Sequence, residues 1–519
     1  MDAARALNQK RPIYRLDIEN VPFVFGAGGL GGLSQPVLYG QGLLFGQQHP
    51  TELRELRFGD ATLIAQSSVS NTMLEPSGLG SDVTPDEGAA SLSTVDVPLL
   101  DSPELRQLLR DFVLRGRRVE IRFGFSGVLF AEWPLLFTGI IDEISLWRDG
   151  LGATLVCADI QRFKKKQIFN LPQTRLAAAM SPSDLSITVQ TGDGDLSALG
   201  FSAGPFYVRI RDEIMLCSTR TATTITVQFR GQFLSEGASA PATHNVGDSL
   251  SEAAIIAGHP LTIARDILLS QGLVSVRDGL GVESRWIDSA SFTAAIAETP
   301  GVVVRFFFFR PEEGKRFLET ECYRLVGAYP VVKADGRLAI KLAEPPLPEE
   351  DLVEIDDSNI VGLPGVQLNY PRQFNRVVWQ YNQNVISGDY DGRGTKIDDD
   401  VPSQTKYGAA GGDGVFSKEI RSRGIRSTIG AATTFLTDFA QRWFARYADP
   451  PMSVDVETFI ELFHVEPADL IIFQSSKVLD PRNGTRGIGP ITLEVVSKSV
   501  NFERGTIRFS LLYTPFAGR

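Results

Sequence analysis

Histidine and cysteine are scarce in this sequence: four of one and three of the other in 519 residues. His49, His244, His259 and His464 share no H-x-x-x-H spacing, and Cys157, Cys217 and Cys322 form no C-x-x-C pair. Protein zinc sites usually show such spacings, so no metal ligands are expected. The three cysteines are far apart and odd in number. They read as small buried hydrophobes of a reducing compartment, not as disulfides. Long apolar runs are missing too; none reaches the roughly 18 residues of a membrane span. The opening MDAARALNQKRP has no apolar region of a signal peptide, so none is expected. Basic charge is in deficit, with 51 Lys and Arg against 62 Asp and Glu. Tight binding to a nucleic-acid backbone needs a basic face. The net charge of −11 argues against that and permits a surface that nucleic acid passes without sticking. The one short basic run, FKKKQ (163–167), reads as a solvated turn.

Catalytic signatures are equally thin. FGFSGV (123–128) is not a G-x-S-x-G elbow, and no G-x-x-x-x-G-K-[ST] occurs. Gly26, Gly28 and Gly31 fit the letters of a G-x-G-x-x-G dinucleotide turn. A helix must open on the last glycine, and here Gly32, Ser34, Pro36, Gly40 and Gly42 follow. The stretch reads as a glycine-rich loop, at an interface by preference and otherwise at an ordinary surface. Residues 389–400 imitate a calcium loop, with Asp389, Asp391 and Asp400 at its acidic positions and Gly394 at the turn. Arg393 stands where a ligand oxygen belongs, so a solvated acidic loop is expected. Carboxylate pairs such as Asp142/Glu143 and Glu312/Glu313 are ordinary on an acidic surface. No catalytic, cofactor-binding or metal residue is assigned.

What is present is strand and hairpin patterning, with some helices. DSPELRQLLRDFVLRG (101–116) reads as a helix capped by Ser102, opened by Pro103 and stopped by Gly116. Alternating strands follow at 117–125, 134–147 and 153–160, with a turn at Arg148-Asp149-Gly150. Residues 37–100 are expected to be loop-rich, with 77–91 a turn-rich loop. Residues 181–250, rich in Ser, Thr, Gly and Ala, suggest a small all-β module. Helices are expected over 261–272 and 313–329, and a hairpin over 330–342 turning at Asp335-Gly336. The four phenylalanines of GVVVRFFFFRP (301–311) alternate faces in a strand, which suits a core on one side and a partner surface on the other. Residues 389–414 read as a long polar loop. TTFLTDFAQRWFARYADPP (433–451) is a helix with Phe435, Phe439, Trp443 and Tyr447 on one stripe. Strands and a terminal hairpin close the chain.

The order of these parts resembles the baseplate hub (tail hub) proteins of tailed bacteriophages and gene transfer agents, relatives of the late-control-D family. The resemblance is carried by PLLFTGIIDEISLWRDGLGATLVCAD, GAYPVVKADGRLAIKL, IDDSNIVGLPGVQLNYPRQFNRVVWQYN and HVEPADLIIF, and spans roughly 100–170 and 256–519. Pro467-Ala468-Asp469 departs from a Pro-Gly-Asp turn frequent in the family. Residues 181–250 resemble a module inserted in some phage tail proteins. The resemblance implies a mainly β chain with some helix (α+β). Its parts are a first barrel domain (1–170), an inserted all-β module (171–255), a helix-plus-hairpin domain (256–350) and a second tube-type barrel (351–519). It implies a homotrimer at the virion tail tip, matching a sixfold tail tube to a threefold tip. Its partners would be a distal tail protein or tail tube, a tape-measure protein, and tip or central fibre proteins. DNA would pass the lumen without specific binding. Gly26, Gly28, Gly31, Asp389, Asp391 and Arg393 are the suspected interface loops. The competing readings are a tail-associated cell-wall or polysaccharide hydrolase and a carbohydrate-binding adhesion protein. Within the sequence, residues 101–160 and 433–513 read as two copies of one unit: helix, stop, alternating strand, hairpin.

Overall fold

The computed structural model describes residues 13–22, 56–60, 70–102, 105–106, 109, 113–125, 132–147, 152–190, 192, 195–275, 278–342, 352–390, 394–408, 413–429 and 432–513. The fold is α+β and mainly β, with two barrel-type sheets at the two ends of the chain.

The first sheet closes. Its strands are β1 (Ile13–Pro22), β2 (Leu56–Asp60), β3 (Ser70–Met73), β6 (Thr94–Leu100), β7 (Arg117–Gly124), β8 (Leu135–Leu146) and β9 (Gly152–Ala158), in the ring order β1-β2-β3-β6-β9-β8-β7. Val119, Ile121 and Phe123 alternate inward along β7, and Ile121 sits opposite Leu16 of β1. The expected helix after β6 lies largely outside the described residues. Its start is visible: the Leu105 amide donates to the Ser102 hydroxyl at 3.1 Å, the bond an N-cap serine makes.

The second sheet is open. Its order is Val353–Ile355, Leu470–Asp480, Thr485–Asn501, Thr506–Tyr513, Met452–Phe459, Ile360–Leu368. Its inner face and the first barrel share one hydrophobic core. Leu16, Val97 and Ile121 belong to the same cluster as Val454, Phe473, Phe509 and Leu511. Tyr14 donates its hydroxyl to the Phe502 carbonyl at 3.0 Å, and their rings meet edge to face at 5.0 Å.

Between the sheets lie two further bodies. The inserted module is a sheet with its own core, including Ile187, Val208, Met215, Cys217 and Ile225. The strand Ser249–Gly258 pairs within the module over its first half and with Val304–Phe308 over its second. The expected boundary at 255 therefore falls inside one continuous strand. The middle body holds the helices Pro260–Leu269 and Ser289–Glu298 and the hairpin Ala328–Val332/Leu338–Leu342, turning at Asp335-Gly336. Its core extends to the helix Ala432–Tyr447, where Phe439, Trp443 and Tyr447 are buried as the stripe requires.

Several expectations are corrected. Residues 77–91 are not a plain loop: they form the hairpin β4 (Gly80–Thr84) and β5 (Ala89–Ala90), and β4 pairs with residues 497–499 of the second sheet. Residues 389–414 contain the strand Thr395–Asp399 and the helix Val401–Gly408. The expected helix 313–329 is an α turn (Gly314–Phe317), a π turn (Leu318–Tyr323) and a 3-10 turn (Arg324–Val326); Ala328 and Tyr329 already belong to the next strand.

The internal repeat fails in its threading. In the first barrel, the neighbours β1, β7, β8, β9 and β6 are antiparallel in turn. In the second sheet, Ile360–Leu368, Met452–Phe459, Thr506–Tyr513, Thr485–Asn501 and Leu470–Asp480 are antiparallel in turn as well. In each sheet the strand after the helical segment takes the second place. The first chain then runs through places three and four. The second crosses to place five and returns through four and three. A 3-10 turn at Ile460–His464, instead of a hairpin, begins that crossing. The two sheets share an alternation of strand directions and not a connectivity.

Candidate functional site

Of the suspected interface residues, Gly26, Gly28, Gly31, Asp391 and Arg393 lie outside the described residues. Asp389 lies in a turn, its carbonyl accepting from the Asn384 amide at 2.8 Å and its amide donating to the Ser387 hydroxyl at 3.3 Å. The described acids at 398–400 have internal partners. Asp398 holds Lys396, Asp399 holds Arg376 and Gln404, and Asp400 accepts from the Ser403 amide at 2.9 Å as the cap of the helix Val401–Gly408. Carboxylates committed in this way are poorly placed to ligate a cation or flank a sugar. Among the described residues no group of three or more His, Cys, Asp or Glu could hold a metal ion.

The nucleophile candidates are also sequestered. Cys157, Cys217 and Cys322 are buried and free. Burial pushes the Cys217 thiol up to about 12 and holds the Cys157 and Cys322 thiols well above the ordinary value, so none is a ready thiolate. His259 caps a helix by accepting from the Leu261 amide, and burial lowers its pKa. His244 shares the buried Glu213 with Arg230, whose guanidinium binds both carboxylate oxygens at 2.8 and 2.7 Å. Glu213 also accepts from the Ala242 and Gly231 amides, which marks a folding knot inside the module. Among the described residues no helix is long and apolar enough to cross a membrane.

The places where distant parts of the chain converge are the seams, and they carry the chemistry. The β4–β5 hairpin lies along the second sheet, and its tip reaches Lys418. The ammonium donates to the Asp86 carboxylate at 2.8 Å and to its carbonyl at 3.0 Å, over the rings of Phe374 (5.1 Å) and Trp443 (5.8 Å). Burial alone would raise the Asp86 pKa; Lys418 outweighs it and holds the carboxyl below its usual range. Gly88 is required at this tip: it has φ +63, and an added Cβ would stand 2.6 Å from the Arg324 amide. At a second seam, Glu494 of the second sheet accepts from the Tyr329 hydroxyl and from Arg446, both partners being buried. Burial disfavours the Arg446 charge, but Glu494, Tyr447 and Tyr329 outweigh it and hold its pKa above the ordinary value.

The third seam joins the module to the rest. Arg305 bonds Glu236 at 2.8 Å, and Arg426 approaches the same carboxylate at 3.6 Å. Phe307 packs edge to face on Phe233 at 5.0 Å, while Phe306 and Phe308 fill the middle core. The partner surface expected for the phenylalanine strand is thus the module of the same chain. A groove of about 600 Å³ opens between residues 75–78 of the first domain and the terminal hairpin, with Glu457, Glu503, Arg504 and Arg508 on its walls.

Asp86, Lys418 and Glu494 were not among the residues the sequence singled out. The turn signal Pro85-Asp86-Glu87-Gly88 was there to be read as a hairpin, but nothing local names its partner.

No family model matches the chain, and no curated protein matches it. Among solved structures, the chain is similar to the 43 kDa tail protein of prophage MuSo2 from Shewanella oneidensis, at 9% identity and a TM-score of 0.36, covering 86% of this chain and 94% of that one. It is similar to a tail protein from Neisseria meningitidis at 11% identity and a TM-score of 0.33, covering 84% and 91%. It is also similar to a prophage tail protein from Listeria monocytogenes at 10% identity and a TM-score of 0.30, covering 85% and 89%.

Proposed function

We propose that this chain is a structural subunit of a phage-type tail, the hub of the baseplate or tail tip. Three copies form a closed ring that adapts a sixfold tail tube to a threefold tip. Its lumen is part of the DNA channel, and its neighbours are the tail tube or distal tail protein, the tape-measure protein and the tip or fibre proteins.

The observation that carries this reading is the pair of barrel-type sheets fused through one core, with the same five-strand alternation of directions. A chain with two barrel-type sheets offers six such sheets around an axis when three copies close by rotation, the usual habit of homo-oligomers. The different threading takes away the support that an internal repeat would have given to six equivalent positions, so the reading rests on the two fused sheets alone. The acidic net charge fits a channel wall that does not retain DNA.

A non-enzymatic role agrees with the engaged acids at 398–400 and the buried thiols. A hydrolase reading needs free acids near a sugar, and a glycan-binding reading needs the module to bind by itself. A zymogram on peptidoglycan and a glycan array on the isolated module test those alternatives; the expected result of each is no signal. The hub reading is tested by the mass of the protein assembled with its tail tube, expected at three copies per ring. Two or four copies would reject it.

A further inference from the structure

We propose that Glu321, Arg423 and Glu312 form a protonation-controlled latch between the middle body and the segment 417–426, closed while Glu321 carries a proton and loosened as it ionises. The inference concerns the chain's internal mechanics and stands apart from the hub reading.

The geometry sets two carboxyls on one guanidinium. Glu312 takes both terminal nitrogens of Arg423 in a two-point contact. Glu321, on the π turn Leu318–Tyr323, is left with the Nε side at 3.7 Å, beyond hydrogen-bond reach. With both terminal nitrogens on Glu312 and its face over the Phe308 and Phe317 rings at 5.3 and 5.1 Å, the guanidinium does not bond Glu321 at the same time. Ser422 donates its hydroxyl to Glu321 at 3.3 Å while accepting from the Gly424 amide at 3.2 Å. The same segment is bonded to the phenylalanine strand, the Arg305 amide donating to the Gly424 carbonyl at 2.8 Å. Gly424 lies so close to the Phe306 ring that an added Cβ would meet it at 2.3 Å. The seam is therefore tight, and Glu321 is only 13% exposed within it.

The groups facing Glu321 are Arg423, Ser422 and Arg426 from the opposite segment, Glu312 through Arg423, Arg324 and Cys322 from its own stretch, and Tyr390 from the adjoining loop. Burial raises the Glu321 pKa to about 7, and the nearby arginines only partly offset it. The sign follows. A carboxyl raised on folding contributes its full stability below the ordinary carboxylate pKa, and that contribution is lost as pH rises through about 7. Ionisation then adds a second negative charge to a guanidinium already engaged by Glu312.

The test is hydrogen–deuterium exchange of peptides spanning 318–326 and 417–426, in the full chain, with Glu321→Gln as reference at each pH so that intrinsic exchange cancels. Equal rates are expected at about pH 4, below the ordinary carboxylate value. At pH 8.5 the wild type should exchange on the order of tenfold faster than Glu321→Gln. Glu312→Gln frees Arg423 to pair with an ionised Glu321, so its rise between the two pH values should be much smaller than the wild type's. A wild-type to Glu321→Gln ratio that stays within about twofold across this range, or a rise in Glu312→Gln equal to the wild type's, overturns the latch.

Discussion

The two barrel-type sheets solve one problem by different routes. The first closes through backbone pairing from β1 round to β7. The second stops at Ile360–Leu368 and finishes with side chains. Asp357, in the turn before that strand, accepts from the Ser475 hydroxyl at 2.7 Å and from the Ser476 hydroxyl and amide at 2.6 and 3.1 Å. It extends the parallel ladder between Val353–Ile355 and Ile471–Phe473 by side-chain bonds into the turn. The chain between β3 and β6 of the first sheet supplies β4, which pairs with the second sheet. Closure by backbone removes edges outright, whereas side-chain bonds at a solvent-exposed turn add little to the open sheet.

The substitution that should divide the two sheets most sharply is Arg446→Ala. It leaves Glu494 buried with the Tyr329 hydroxyl as its remaining side-chain partner among the described residues. Stranding a buried charge costs roughly 3–5 kcal/mol. In urea, the second sheet should lose exchange protection at lower concentration than β6–β9, which make no contact with Arg446 among the bonds and rings described.

Next comes the clasp. Lys418→Ala strands Asp86 at the hairpin tip and should cost about 2–3 kcal/mol, less than Arg446→Ala because both side chains keep some solvent exposure. The double variant with Asp86→Ala should recover part of that loss. Additive losses in a double-mutant cycle would mean that the hairpin is not held by this pair.

A smaller change of opposite sign is expected at Ala468. It adopts φ +71, a left-handed conformation that suits glycine. Ala468→Gly should stabilise the second sheet by about 1 kcal/mol in the urea midpoint, without affecting β1–β9.

The smallest effect belongs to the stitch. Hydrogen bonds from Ser476 and Ser475 hold Asp357 below its usual pKa, so its contribution is present above the ordinary carboxylate pKa and disappears as pH falls through the depressed value. Asp357→Asn should cost no more than about 0.5 kcal/mol at pH 7, because the site is open to solvent, and nothing at pH 2.

Local pattern reached far in this chain and stopped at pairing. The helix Ala432–Tyr447 was legible because its aromatic stripe and its Asp449-Pro450-Pro451 stop are both local signals. The strands of the module and the terminal hairpin were legible for the same reason. The helix Ser289–Glu298 was passed over: only Phe292 and Ala295 are buried, too faint a stripe, although Asp288 caps it. The Asp400–Pro402 start of a helix was taken as a loop's end, the same letters serving either purpose. The β4–β5 hairpin and the crossed threading were out of reach, because Ser81 pairs with Lys498 and no short-range period specifies a partner so distant. The seams that hold the candidate site depend on those distant pairings, so they became visible only once the sheets were assembled.

The central claim is that the two sheets of one chain occupy equivalent places in a ring. A cryo-electron microscopy map of assembled tails tests it most directly. The expected map shows three chains around the axis, with closed and open sheets alternating to make six barrel positions around a lumen. A map with twofold or fourfold order, or with six copies presenting one sheet each, would contradict it.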